Sequence, residues 1–286
     1  MFNNDNKILA CIDGSKYSQS VCDYAAWISQ RTGAPLQLLH NLEHPAGAST
    51  ADLSGAIGLG SRDTLLQELT EVEEQRNRLM MEQGKLMLAA AKERIGQGGT
   101  EASTKQRHGS LTESLIEMED DIRVLVLGIR GEEHEQDTTH LGAHLEATIR
   151  ALHRPILVVN TEFTVPEKVM LAYDGSEASS KALDMLAQSP LFKGIPVHLV
   201  TVGEDPADSN TLQHKATEVL QAAGHTVTAV TLDGKPSDAL VSYQAEHDID
   251  LTLMGAFSHT RLRELVLGSL TAKVLLKSNK PLLLLR

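Results

Sequence analysis

The chain repeats itself, and that repeat restricts its possible folds more than any other feature of its 286 residues. The segment ILACIDGSKYSQSVCDYAAWI near the start returns as VMLAYDGSEASSKALDMLA in the middle, with Asp13-Gly14-Ser15 and Asp174-Gly175-Ser176 lying 161 residues apart. Each block is an apolar run, an Asp-Gly-Ser turn and an apolar pattern of period 3.6. That order predicts a strand, a tight turn and a helix capped by Ser15 or Ser176. Farther along, VLVLGIRGEE matches LTLMGAFSHT, and RPILVVN matches KPLLLLR, with Gly128 and Gly255 now 127 residues apart. The order is kept while the offset falls, so the first copy holds about 34 extra residues within a stretch at about 43–97.

In the second copy five short β-rich apolar runs, at residues 168–173, 196–202, 226–232, 251–255 and 281–285, alternate with helical patterns. Alternation of this kind predicts a parallel sheet whose strands are covered on both faces. Right-handed crossovers make each copy a doubly wound, Rossmann-like α/β unit of five strands, with ligands at the carboxyl ends of the strands. The polar, Pro-containing link Thr161–Pro166 divides the chain into units 1–162 and 163–286. The extra stretch opens Gly/Ala/Ser-rich and continues as a long helix by period and propensity over about residues 62–95. No chemistry is read from it.

Composition removes several classes of function. A net charge of −12 repels nucleic acid and anionic lipid, and no basic cluster with interleaved aromatics offsets it. No apolar run approaches the roughly 20 residues that span a bilayer, and the N-terminal residues lack a leader pattern, so a cytoplasmic protein is expected. Cys11 and Cys22 read as reduced core thiols. An anionic ligand must then be held locally, by backbone N–H groups and helix N-termini.

The segment MGAFSHTRLRELVLGSLTAKVL meets that requirement. Gly255 ends a strand, Ser258 follows three positions later, and Gly268-Ser269 opens a helix, with Arg261 and Arg263 between them as counter-charges. Such a turn exposes N–H groups to phosphate oxygens, and the helix N-terminus adds positive potential. A turn and helix cap without any ligand fits the spacing equally well. GKPSDAL lacks the spacing of a Walker motif, and Pro236 reads better as a first helical residue. GAIGLGS does not follow directly on a strand, and neither Ser15 nor Ser176 has the setting of a nucleophile.

Asp-Gly-Ser after strand one, together with the glycine motif after strand four, resembles the universal stress protein family in its tandem form, over nearly the whole chain and twice. The resemblance implies two doubly wound five-stranded units joined through their last strands as an intrachain pseudo-dimer, PILVVN against PLLLLR. It implies ATP or ADP as ligand, with Asp174 on the ribose, the backbone of Val202 on the adenine, and Gly255, Ser258, Gly268 and Ser269 around the phosphates. The backbones of Ala256, His259 and Leu270 complete the cradle. Ser258 stands where the motif has glycine.

The first copy departs further. Ten residues, not nine, separate Gly131 from Gly142, Ala143 replaces the serine, and Asn41 takes the place of Val202. Its loop EEHEQDTTH brings four carboxylates to the phosphate position, where each close like-charge contact costs about 1 kcal/mol. This copy is expected to be empty or to hold something other than ATP. His134, His140 and His144 contain an i, i+4 pair suited to zinc, against which a solvated polar loop is the simpler reading.

Nucleotide binding as a regulatory signal in a stress response is therefore the leading expectation. Mg2+ would accompany the nucleotide, although no carboxylate pair near the cradle is placed to hold it. A nucleotide-free scaffold, using the 43–97 stretch to bind a partner protein or an apolar ligand, is the alternative. Slow ATP hydrolysis, with His259 or Asp174 taking part, is a third. Association of two tandem chains into a homodimer is compatible with each.

Overall fold

The computed structural model describes residues 6–43, 59–131, 141–203, 206–256 and 269–286. The first half runs β1 (Lys7–Cys11), α1 (Ser18–Thr32), β2 (Leu36–Leu42), α2 (Leu59–Gln97), β3 (Ala102–His108), α3 (Leu111–Glu117), β4 (Ile122–Gly128), α4 (Ala143–Ala151) and β5 (Ile156–Val159). The second runs β6 (Val169–Ala172), α5 (Glu177–Gln188), β7 (Val197–Val202), α6 (Pro206–Ala222), β8 (Val227–Leu232), α7 (Pro236–Glu246), β9 (Leu251–Gly255), α8 (Ser269–Lys277) and β10 (Leu282–Leu285).

All ten strands form one sheet in the order β3-β2-β1-β4-β5-β10-β9-β6-β7-β8. Every neighbouring pair is parallel except β5 and β10, which meet antiparallel with Leu283 opposite Leu157. The order reads the same from either edge, so each half presents its last strand to the other. Both central strands are wholly buried, because their ILVV and LLLL sequences offer apolar side chains to both faces.

Alternation along the strands builds two cores. Ile8 and Ala10 look to one face, with Val21, Tyr24 and Ile28 of α1 and Ala182 and Leu186 of α5. Leu9 looks to the other, with Leu145 and Ile149 of α4 and Leu240 and Tyr243 of α7. Each face takes helices from both halves, which makes the three-layer sandwich that the alternating sequence pattern predicts. The edges differ from that pattern: β3, sequence ASTKQRH, and β8 are largely open to solvent. Charged and polar residues on an outer strand discourage pairing with another sheet.

Two local expectations have opposite outcomes. Ser176 caps α5, its hydroxyl accepting from the Ser179 N–H at 3.1 Å. Ser15 does not cap α1; a turn intervenes, Tyr17 holds the N-cap position, and Ser18 Oγ instead accepts from the Gly14 N–H at 3.1 Å. Buried Tyr17 stands where the second copy has Ala178, and this bulk delays the helix.

The long α2 is 39 residues, slightly more than the pattern predicts. Leu88 and Ile95 tie its C-terminal half to the core, and Arg94 grips Asp23 of α1 through two hydrogen bonds of 2.8 and 2.7 Å. Gly84 sets how closely it approaches the sheet, because a Cβ there would lie 2.6 Å from His40 Nδ1 and closer still to the Gln106 amide. Gly84→Leu should therefore cost about 1–3 kcal/mol by overpacking. Gly96→Ala, in the same helix with nothing within 4 Å of a new Cβ, should gain up to about 1 kcal/mol from propensity alone. Urea unfolding of the two variants checks the contrast, and equal effects would contradict it.

Candidate functional site

Position in the sheet decides where a ligand can sit. In the second half β6 lies between β9 and β7, and the chain turns from one side of β6 to the other on its way to β9. This is the topological switch point, where the carboxyl ends of the strands open a crevice. Asp174 follows β6, Val202 ends β7 and Gly255 ends β9. Three residues from distant parts of the sequence are thus brought to one edge.

The turn after β6 is held by Asp174, whose Oδ1 accepts from the Ser176 N–H at 3.0 Å and from the Ser176 hydroxyl at 2.6 Å. Gly175 adopts φ +73°, and a Cβ there would lie 2.9 Å from Leu212 Cδ2, so both backbone and space require glycine. The carboxylate is left on the exposed rim. Gly255 serves packing first: a Cβ on it would sit 2.8 Å from the Ala178 Cβ, and its absence lets the end of β9 touch the start of α5. Thr271 Oγ1 in the first turn of α8 donates toward the carbonyls of Gly255 at 3.3 Å and Ala256 at 3.1 Å. This brings the N-terminus of α8, with exposed Ser269 and half-buried Leu270, to the same strand end. Val202 is half-buried and pairs with Leu232 of β8. Ser258, His259, Gly268, Arg261 and Arg263 lie outside the described residues.

The first half repeats this frame with altered contents. Asp13 Oδ1 accepts from the Ser15 N–H at 3.0 Å and the Ser18 hydroxyl at 3.2 Å. Gly128 packs against Tyr17 as Gly255 packs against Ala178. Strand register makes Asn41 the counterpart of Val202, since Cys11 pairs with Leu39 and Ala172 with Val200. Asn41 is committed to its own half: its amide donates to the Gly109 carbonyl, and its Oδ1 accepts from Ser114 Oγ at 3.0 Å.

A cavity of about 350 Å3 fills the first half's switch point. Cys11, Leu39 and Leu127 contribute to it from the strands, and Met80, Gly84 and Met87 contribute from α2. From the sequence α2 has no chemistry and, in the alternative reading only, a part in binding a partner protein or an apolar ligand; the local signals for a site were a glycine in mid-helix and nearby methionines, residues suited to close approach and to filling irregular gaps. Glu43 braces one side, accepting from the Leu111 N–H at 2.7 Å and pairing with His144 Nε2 at 3.1 Å. His144 is thus engaged with a carboxylate; His134 and His140 lie outside the described residues, and no metal-binding cluster occurs among the described ones. Burial, with the Asp13 carboxylate adding, raises the Cys11 thiol, and burial, with Asp23 adding, pushes Cys22 up to about 12. Both cysteines are free.

The comparisons agree with this geometry. The model of the universal stress protein family matches residues 6–160 and 208–286. The chain belongs to the universal stress protein family. Universal stress protein Slr1230 of Synechocystis sp. is 38% identical over 284 residues, which cover 98% of this chain and 99% of that protein. A universal stress protein of Archaeoglobus fulgidus has the same fold, with a TM-score of 0.71 at 20% identity over 99% of this chain and 98% of that one. A further structure, a putative universal stress protein from Pseudomonas aeruginosa, superposes with a TM-score of 0.61 at 17% identity, covering 98% and 92% of the two chains. As a family member with two matched regions, the chain has the tandem form. Among the described residues no helix is long and apolar enough to cross a membrane.

His40 joins the cavity to stability. Burial pushes its imidazole below the ordinary histidine value, and the Asp13 carboxylate opposes this only in part. The fold therefore holds the neutral ring, while the unfolded chain takes a proton more readily. Stability is complete above the unfolded value of about 6.5 and is lost as pH falls below it. Between pH 7.5 and 5.5 the wild type should lose more stability in urea unfolding than His40→Gln does; equal losses would contradict the assignment.

Proposed function

We propose that this universal stress protein binds ATP or ADP in its second unit, residues 163–286, as a regulatory ligand in a cytoplasmic stress response. The observation that carries the reading is the convergence of Asp174, Val202 and Gly255 on the carboxyl ends of three adjacent strands at a switch point, with the N-termini of α5 and α8 beside them. Asp174 receives the ribose hydroxyls on its exposed carboxylate, and the backbone at Val202 meets the adenine edge. The N-terminus of α8 faces the phosphates, with Gly255, Ser258, Gly268 and Ser269 as the cradle and the backbones of His259 and Leu270 beside it. Helix N-termini suit this task because their N–H groups are unpaired and their dipole favours an anion. Binding, and not turnover, is the function: the sequence offers no water-positioning residue or Mg2+ carboxylate pair beside the cradle.

The asymmetry of the halves supports the same division of labour. Asn41 is held by α3 and the 109 carbonyl, and α2 covers the cavity next to it. The first unit, residues 1–162, is accordingly empty or holds something other than ATP.

Calorimetric titration with ATP tests the reading. Wild type should bind, Asp174→Ala should bind at least about tenfold more weakly, which is 1.4 kcal/mol, and Gly268→Val should not bind. Asp13→Ala should behave as wild type. No binding by wild type would overturn the function, and undiminished binding by Gly268→Val would overturn the site.

A further inference from the structure

The first-half cavity has the position of a ligand site and the chemistry of a different ligand. Its size, about 350 Å3, falls in the range of small-molecule pockets, which are mostly apolar with a few placed polar groups. Leu39, Leu127 and Leu145 are buried residues that line it from the sheet and α4, and Met80 and Met87 roof it from α2. Methionine adapts its shape to irregular apolar ligands.

The polar groups around it argue against a phosphate. Asp13 and Glu43 place two carboxylates on the described wall beside one arginine, Arg130, so no surplus of cations is available to a triphosphate. Glu43 is already occupied by the Leu111 N–H and His144.

His40 lines the cavity at 7% exposure, and its Nδ1 is closed off against Gly84 of α2 and the Gln106 amide, so the ring belongs to the wall.

We propose that the cavity under α2 is a second ligand site, selective for an uncharged, largely apolar small molecule. The additional helix then has a function: it adds an apolar wall, with Met80 and Met87, to the crevice at the first half's switch point. The two halves of one chain thereby carry two different ligands, and this site is independent of the nucleotide reading of the second half.

The probe is N-phenyl-1-naphthylamine, an uncharged aromatic amine with one N–H donor whose fluorescence rises in apolar surroundings. Full-length protein should bind it with a saturable signal at one equivalent, and saturating ATP should leave that signal unchanged. Met87→Trp and Met80→Trp, which fill the chamber from its roof, should each weaken binding at least tenfold while circular dichroism and thermal melting show a folded chain. Leu86→Trp, on the exposed side of the same helix, should have no effect. Absence of saturable binding, displacement by ATP, or a loss in Leu86→Trp matched by none in the folded Met87→Trp and Met80→Trp variants would overturn the proposal.

Discussion

The antiparallel pairing of β5 with β10 is the contact on which the rest of the molecule depends. Each strand has only four residues, and each would be the bare edge of its own half without the other. An edge made of Ile156, Leu157, Val158 and Val159, or of four consecutive leucines, is an adhesive surface if left exposed. Joined, the two edges become the centre of a ten-stranded sheet. Burying a Leu, Ile or Val side chain contributes about 1.5–3 kcal/mol, and these eight residues join the junction to both of the cores that the halves share. Tandem fusion makes this pairing intramolecular, without the entropic cost of bringing two chains together.

Once the halves are fused, they are free to diverge. The same turn, Asp-Gly-Ser, and the same packing glycine, Gly128 or Gly255, fix the frame at both switch points. What differs is what surrounds the frame. The first half adds α2, sets it close to His40 through Gly84, and fastens it to α1 by the Arg94–Asp23 pair. It also replaces an apolar strand end, Val202, by Asn41, whose amide ties β2 to Gly109 and to Ser114 of α3. The same frame thus has an apolar helix wall around it in the first half and an apolar strand end, Val202, in the second.

Much of this was legible in the sequence because it is written locally. Strand runs, the Pro236 helix start and the Ser176 cap are short-range signals, and the structure places them within a residue or two. Ser15 shows the limit. The same tripeptide as in the second copy fails to cap α1, because Tyr17 in place of Ala178 must be packed against Gly128 before the helix can begin. The chamber was legible only as an alternative use of the 43–97 stretch, since its wall is assembled from β1, β2, β4, α2 and α4, which lie far apart in sequence. Gly84 and the methionines were its local traces; a glycine costs about 1 kcal/mol in a helix and is tolerated where close approach requires it. The edge strands were misjudged for a related reason: apolar runs report strand formation, whereas solvent exposure of β8 follows from its place at the end of the sheet.

The central claim is that one fold, used twice in one chain, holds a nucleotide in one copy and excludes it from the other. A crystal structure of the full chain grown with saturating ATP tests it most directly. The account predicts nucleotide density against Asp174 and the N-terminus of α8, and none beneath α2 beside Asp13 and Asn41. Density in both copies, or in the first alone, would contradict it.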